Sequence, residues 1–319
     1  MKKKAFITGI GGQDGSFLAE FLLEKDYELH GLVRKETIFS RMQDQMIIHV
    51  GNAHHPKHIA DLIQQIQPDE CYHLASTSFV SYDLDAEVSI VENNFNSTYH
   101  LLANIKKHSP HTKFYFAGSS EMFGEVSSAP QNETTAFNPR SIYGISKTAG
   151  AQLCRNYRKQ QGLFICNGIL FNHESYRRPL EFVTRKIAHT VAKIACDQAR
   201  ELELGNLDAK RDWGYAPEYV EAMWRMLNHQ VPDDYVIATG KLYSVREVVE
   251  HAFKFVNLNY LDYVKTNPAH YRQTEAVPLQ GDANKAKQQL DWQATKNIFS
   301  IIEEMIEYDL QRLKQKEIL

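Results

Sequence analysis

The chain has 319 residues, 43% hydrophobic and 24% charged, so it can bury a substantial core as one large domain or two joined ones and is too apolar for intrinsic disorder. Its 36 basic and 39 acidic residues leave a net charge of −3, which gives no basis for electrostatic capture of nucleic acid or an anionic membrane. The scattered Cys71, Cys154, Cys166 and Cys196 form no C-x-x-C pair, so no metal or thiol-exchange site is indicated, and isolated thiols in apolar company suit the reducing cytoplasm.

Residues 4–8 (Lys-Ala-Phe-Ile-Thr) read as a buried strand, an apolar run too short for a signal peptide. A helix is expected over 16–25, with Phe17, Leu18, Phe21 and Leu22 on one face. Strand-like runs follow at 27–33, 46–50, 71–75, 113–117 and 164–170, separated by helical stretches around 57–66, 87–108 and 143–161. Such alternation predicts a doubly wound parallel-sheet α/β fold of Rossmann type. After 170 the rhythm loosens into a charged loop at 172–181, a helix near 183–198 and a mixed C-terminal third. The expected division is a dinucleotide-binding domain over 1–170, with part of 212–242 returning to it. A smaller mixed α/β substrate lobe takes 171–211 and 243–319. No run of about 18 apolar residues offers a membrane span.

In an open α/β sheet, ligands sit at the carboxyl ends of the strands, so residues just past each strand deserve inspection. Thr8-Gly9-Ile10-Gly11-Gly12-Gln13-Asp14-Gly15 joins the first strand to the first helix. Glycine at 9 and 12 allows a tight turn and close approach to a pyrophosphate facing the helix N-terminus, and Gly15 allows helix and strand to pack; the other reading is a glycine turn that binds nothing. At the end of the second strand, Arg34 and Lys35 suit the 2′-phosphate of NADP, whereas Glu36 would suit the ribose hydroxyl of NAD.

Tyr143-Gly-Ile-Ser-Lys147 puts a phenol and an ammonium four residues apart on one helical face, where the lysine can stabilise a phenolate that removes a proton from a hydroxyl. By spacing alone such a pair is more often a helix-surface pair. Ser119, at the end of the fifth strand, could hydrogen-bond the same substrate oxygen. Glu121 just beyond it offers a second acid/base, able to take a proton α to a ketone and to protonate a departing hydroxyl; the alternative is a loop-capping surface carboxylate.

These residues lie within longer stretches: Gly11-Gly-Gln13-Asp14-Gly15-Ser-Phe-Leu, Ser119-Ser-Glu121-Met-Phe-Gly, Asn138-Pro-Arg-Ser-Ile-Tyr143, Asn172-His173-Glu-Ser, Phe182-Val-Thr-Arg-Lys186 and Arg211-Asp-Trp-Gly214. In them the chain closely resembles the GDP-mannose 4,6-dehydratase family of the extended short-chain dehydrogenase/reductases, essentially end to end. The glycine and Tyr/Lys motifs are superfamily-wide, whereas the Asn172 and Arg211 stretches are particular to this family.

The resemblance implies NADP retained through the cycle and a GDP-hexose substrate, GDP-mannose foremost. Tyr143 would deprotonate the 4-hydroxyl as C4 is oxidised, Glu121 would take the C5 proton, water would leave C6 and the hydride would return to C6. The product would be a 4-keto-6-deoxy sugar nucleotide with no net redox change. Ser119, Glu121, Tyr143 and Lys147 would be catalytic, with Ser119 where the family usually carries Thr. Gly9, Gly12, Gln13, Asp14, Gly15, Arg34, Asn52, Leu74, Ser78, Tyr143, Lys147, His173 and Arg178 would hold the cofactor. Asn172, Lys186, Arg211, Arg272 and Glu275 would hold the nucleotide diphosphate, the cations among them suiting a pyrophosphate. No metal is implied, and a homo-oligomer, dimer or tetramer, is expected.

Departures from the family pattern fall after Arg34, where a long intersubunit arm is replaced by a shorter connection, and at Asn52, where an acid is usual. Others fall at Tyr176, Pro179, Tyr215-Ala-Pro-Glu218 and Gln273. Their position around the substrate lobe leaves another sugar, such as a GDP-linked heptose, open. Competing activities are a nucleotide-sugar epimerase, decarboxylase or 4-keto reductase, and, from another class, a non-catalytic NADP-binding sensor. Ser120 argues against a dTDP-glucose dehydratase, which usually has Asp there.

Overall fold

The computed structural model describes residues 2–35, 43–77, 84–267 and 277–316. In chain order the strands are β1 (Lys4–Thr8), β2 (Glu28–Val33), β3 (Ile47–Val50), β4 (Glu70–His73), β5 (Lys113–Ser119), β6 (Ile165–Leu170), β7 (Asn172–Glu174), β8 (Leu202–Leu204), β9 (Lys210–Tyr215), β10 (Asp234–Ile237), β11 (Leu242–Ser244) and β12 (Val264–Thr266). The helices are α1 (Gln13–Glu24), α2 (Pro56–Ile66), α3 (Leu84–Val91), α4 (Ser97–His108), α5 (Ile142–Gln161), α6 (Val183–Ala195), α7 (Ala216–Leu227), α8 (Val245–Phe255), α9 (Asn284–Leu290) and α10 (Ile298–Lys316).

Seven strands form one parallel sheet in the order β10-β6-β5-β4-β1-β2-β3, a Rossmann-type doubly wound fold whose order reverses between β1 and β4. Because side chains alternate along a strand, Phe6 and Ile7 of β1 enter different cores. On one face Ile7, Tyr72 and Tyr115 pack with Leu18 of α1 and Met223 of α7; on the other Phe6, Phe114 and Phe116 pack with Ile59 of α2 and Leu101 of α4. Burying each such side chain contributes roughly 1.5–3 kcal/mol. A third core gathers Ile187 and Val191 of α6, Trp213 of β9, Val248 and Phe253 of α8, and Ile301 and Met305 of α10.

Two structural differences from the periodicity bear on function. Helix α1 begins at Gln13, four residues before its first apolar side chain, Phe17, because its first turn is spent on polar contacts described below. The stretch expected as a charged loop after 170 contains β7, which pairs in parallel with β9, while β9 pairs antiparallel with β11. Three buried or half-buried polar residues carry no strand signal; pairing with a distant strand makes them one. After β9 the chain crosses back along α7 and adds β10 beside β6. Among the described residues no helix is long and apolar enough to cross a membrane.

Candidate active site

The turn between β1 and α1 lies at the point where the strand order reverses. Gly9 has φ +76°, and a Cβ there would come within 2.7 Å of the Ala75 nitrogen and 3.0 Å of the Leu74 carbonyl carbon, so backbone must meet backbone. A Cβ on Gly15 would overlap the Gly9 carbonyl, so glycine lets the first turn of α1 settle on the loop. Gly12 N–H donates to Gly9 O (3.0 Å), and Gly12 starts the helix with extended backbone and no side-chain cap. This leaves a backbone cradle at the N-terminus of a 12-residue helix, which favours a phosphate anion and fits a dinucleotide pyrophosphate. Arg34 is exposed at the end of β2, Asn52 is half-buried after β3, and Leu74 follows β4 against Gly9. Ser78 and Glu36 lie outside the described residues.

The residues expected to react, Ser119, Glu121, Tyr143 and Lys147, come together at the C-terminal end of β5 and the first turns of α5. Ser119 Oγ accepts Glu121 N–H (3.2 Å), starting the tight turn Ser120–Met122. Ser141 caps α5 by accepting Gly144 N–H (3.1 Å). A Cβ on Gly144 would reach within 2.6 Å of Glu121 O, so glycine draws the first turn of α5 onto the turn carrying Glu121. The Tyr143 phenol is hydrogen-bonded with Ser119. Burial and the nearby Glu121 push it up to about 12, against that bond and Arg178, which pull it down. Lys147, 4% exposed, donates to Ala117 O (2.8 Å), and burial lowers it to about 8. Its ammonium lies 5.9 Å from the Tyr143 ring centre, where positive charge favours a phenolate.

A charged network joins this site to β7. His173 Nε2 donates to Asp14 Oδ2 (2.9 Å) and Nδ1 to Phe171 O (2.7 Å), while the ring stacks on Tyr219 at 4.6 Å. Neither oxygen can donate back, so the ring is an imidazolium. Burial pushes His173 down and the Asp14 carboxylate overrides it, leaving it raised. Burial likewise pushes Asp14 up, and His173 with a bond from Gln13 overrides that, leaving it lowered. The Gln13 amide donates to His173 O (3.0 Å) and accepts from Ser175 Oγ (2.8 Å), so α1 and β7 are locked together. Arg178 stacks over Phe182 at 3.7 Å and lies 3.5 Å from the buried Glu174 carboxylate.

A family model described as GDP-mannose 4,6 dehydratase matches residues 6–305. The chain belongs to that family. GDP-mannose 4,6 dehydratase of Drosophila melanogaster is 41% identical, with 99% of this chain and 88% of that one covered. The Homo sapiens protein of the same name is 41% identical over 97% of this chain and 92% of its own. Among solved structures, the UDP-glucose 4-epimerase of Thermotoga maritima with UDP-glucose superposes with a TM-score of 0.86, covering 97% of this chain and 99% of that one. At 18% identity that likeness concerns the fold.

In this GDP-mannose 4,6-dehydratase relative, Asn172 lies on β7, Lys186 half-buried in the first turns of α6, and Arg211 on β9, donating to Lys210 O (2.7 Å). Arg272 and Glu275 lie outside the described residues, as does Gln273. The departures Tyr215 and Glu218 face the C-terminal segment. Tyr215 OH donates to Glu304 (2.9 Å), and Glu218 accepts Thr295 N–H (3.1 Å) and Lys296 N–H (3.1 Å). Tyr176 stacks on Tyr308 of α10 at 4.4 Å. Tyr176 and Tyr215 thus anchor α10, and Glu218 the segment that leads into it.

Several residues of this neighbourhood carried no individual sequence signal. Asp212, within the Arg-Asp-Trp stretch, accepts from Thr239 N–H (2.9 Å), Thr239 Oγ1 (2.6 Å), Gly240 N–H (2.9 Å) and Gly281 N–H (3.2 Å), pinning the β10–β11 turn. His73, Asn94 and Ser146 form a second buried network; only Ser146, inside the Tyr143–Lys147 motif, stood where a search could have found it.

Proposed function

We propose that the chain binds NADP and converts GDP-mannose to GDP-4-keto-6-deoxy-mannose. One observation carries the residue assignment: a Ser119-bonded phenol beside a buried ammonium, with the Glu121 turn packed against the helix that bears them. A bound nicotinamide would supply the acceptor for the C4 hydride and the donor that returns it to C6. Tyr143 Oη removes the 4-hydroxyl proton, Ser119 Oγ holds the same oxygen and Lys147 keeps the phenolate favourable. Glu121 would then take the C5 proton, acidified by the adjacent ketone, and protonate the departing 6-hydroxyl, so water leaves and the carboxylate is restored; as the hydride returns to C6, C5 regains a proton, balanced by the one Tyr143 took from the 4-hydroxyl, and the phenolate is restored.

The glycine turn, Asp14 and His173 would border the cofactor, and exposed Arg34 and Lys35 favour the 2′-phosphate of NADP over NAD. Arg178 would also face the cofactor, and Asn172, Lys186 and Arg211 would meet the diphosphate of the substrate in a lobe built on the third core. Exposed Val88, Val91, Tyr99 and Ile145 on the adjoining helices α3, α4 and α5 suit burial against a second copy in a homo-oligomer. The thiols of Cys71, Cys154 and Cys166 are free and buried, in keeping with the cytoplasm.

Incubation of the purified protein with GDP-mannose should yield a 4-keto product without consuming added NADPH; no turnover of any GDP-hexose would sink the reading. Glu121→Gln should retain bound cofactor and cut turnover by about 10²–10⁴-fold, the usual worth of a positioned acid/base. Loss of cofactor in step with activity would make Glu121 structural.

A further inference from the structure

Helix α1 starts without the device that usually starts a helix. Gly12 stands at its N-cap with extended backbone and no side chain, so the first N–H groups are left for an anion from outside and nothing at the cap holds the turn. A closed ring of hydrogen bonds to the chain at the end of β7 holds it from the side. Ser175, fully buried, donates from Oγ to Gln13 Oε1 (2.8 Å) and accepts Arg177 N–H on the same oxygen (3.1 Å). Arg177 Nη1 donates to Ser16 Oγ (3.0 Å), and Ser16 Oγ donates to Gln13 O (2.9 Å), which closes the ring. Gln13 is 8% exposed and Ser16 2%, so most of the ring is shielded from water, where such bonds are strongest. The ring meets α1 only through the Gln13 side-chain amide, the Gln13 carbonyl and the Ser16 hydroxyl. It spends none of the N–H groups that face the cradle.

We propose that Ser175 and Arg177 are positioning residues for the cofactor: the ring shapes the first turn of α1 as an N-cap would, while leaving the N–H groups of that turn to the pyrophosphate. A serine or aspartate at the cap would take one of those donors for itself. Arg177 adds a second hold one turn on, through Glu20 Oε2 (2.8 Å) and the Phe17 ring 4.0 Å beneath its guanidinium. The affinity part of this inference rests on the dinucleotide reading; the hold on the turn does not.

In Ser175→Ala, NADP affinity measured by titration of the cofactor-free protein should weaken about tenfold, since one hydroxyl carries two bonds of the ring. Arg177→Ala should weaken it about fivefold, and the double variant should lose no more than about twofold beyond Ser175→Ala, because both substitutions open one ring. Adenosine 2′-phosphate has no pyrophosphate and should bind every variant within about twofold of the wild type. Hydrogen exchange of cofactor-free Ser175→Ala should quicken at Ser16 and Phe17, whose N–H groups close the first turn, and stay unchanged in α2. Unchanged NADP affinity in folded Ser175→Ala, an equal loss for adenosine 2′-phosphate, or unchanged exchange at Ser16 and Phe17 would each overturn the proposal. Should Ser175→Ala fail to fold, Arg177→Ala decides on the same three readings. Should the wild type bind NAD in place of NADP, NAD and adenosine take their places in the titrations. Should it bind neither dinucleotide, the cofactor reading and the affinity part fall together, and exchange at Ser16 and Phe17 still decides the hold on the turn.

Discussion

His73 closes β4 and His173 lies in the middle of β7; both rings are buried and both nitrogens of each are bonded, yet one is neutral and the other charged. Around His73 the partners are hydroxyls. Thr98 and Ser97 spend their protons on the Asn94 and Asn93 carbonyls, so they accept from Nε2–H, and Thr8 Oγ1 donates to Nδ1 at 2.7 Å. Around His173 the partners are a carbonyl and a carboxylate, which only accept. Burial together with Lys147 drives His73 down to about 3, whereas the Asp14 carboxylate lifts His173 against the same desolvation. The lesson is that burial sets the cost of charge, and the donor or acceptor character of the neighbours decides whether the ring bears it. The β4 side is thus held by neutral bonds and the β7 side by ions.

The largest stability effect should come from removing the ion that β7 depends on. Asp14→Asn strips the His173 imidazolium of its counter-charge. Breaking a largely buried pair costs roughly 3–5 kcal/mol. The 21% exposure of the Asp14 side chain and the oxygen left to accept from Nε2 bring the cost below that range, to about 2–3 kcal/mol. Chemical denaturation of the unliganded protein should show that loss; a change under about 0.5 kcal/mol would mean the ion pair is dispensable and the contrast between the two sides false.

Next in size is the acid limb of stability. His73 has a folded value near 3 against an ordinary 6.5, so between those values the unfolded chain binds the extra proton and stability falls as the pH drops, by up to about 1.4 kcal/mol per unit. The β7 pair behaves oppositely. His173, raised above 6.5, contributes fully below 6.5 and loses its contribution as the pH rises through its folded value; Asp14, lowered from 3.8, contributes above 3.8 and fades as the pH falls through its own. Between about 3.8 and 6.5 the pair is therefore formed and adds no slope; His73 contributes there with the same sign as His49 and His100, which burial also lowers, and against Glu133 and Asp212, which burial raises. His73→Gln should flatten that slope in denaturation curves taken across the window, and an unchanged slope would show that the ring is charged in the folded state.

The same contrast explains what could be read from the amino-acid sequence. The strands and helices of the main sheet announce themselves because Phe6, Ile7, Phe114 and Phe116 repeat at the strand period and Leu18 and Leu22 at the helical one. Tyr143, Lys147 and the glycines stand out in the sequence because the chemistry expected of them depends on short spacings along the chain. Strand β7 does not, since Asn172-His173-Glu174 is polar throughout and is a strand only by pairing with Trp213-Gly214-Tyr215. Nor do the partners of Gln13 and His73, which come from residues far along the chain and are chosen by topology. Tyr215 and Glu218 invited a substrate-side explanation from position alone, and their contacts with Glu304 and Thr295 supply a packing one.

The smallest effect tests whether the ionic character of the β7 side extends to its rim. Arg177, two residues past Ser175, donates to Glu20 Oε2 (2.8 Å) and Ser16 Oγ (3.0 Å) of α1 and lies 4.0 Å over the Phe17 ring. Its side chain is 21% exposed and that of Glu20 24%, so the charge is partly screened and the pair is worth on the order of 1 kcal/mol. Arg177→Lys keeps the charge but gives up the planar stack and the second bond; Arg177→Met keeps most of the apolar stem and gives up the charge. If the rim is held by ions, Arg177→Met should be the less stable of the two at low salt, by under about 1 kcal/mol, with the difference shrinking as salt rises toward 1 M and the Debye length falls to about 3 Å. If stacking on Phe17 holds it, both variants should lose the same amount at every salt concentration, and the ionic side of the comparison would end at Asp14 and His173.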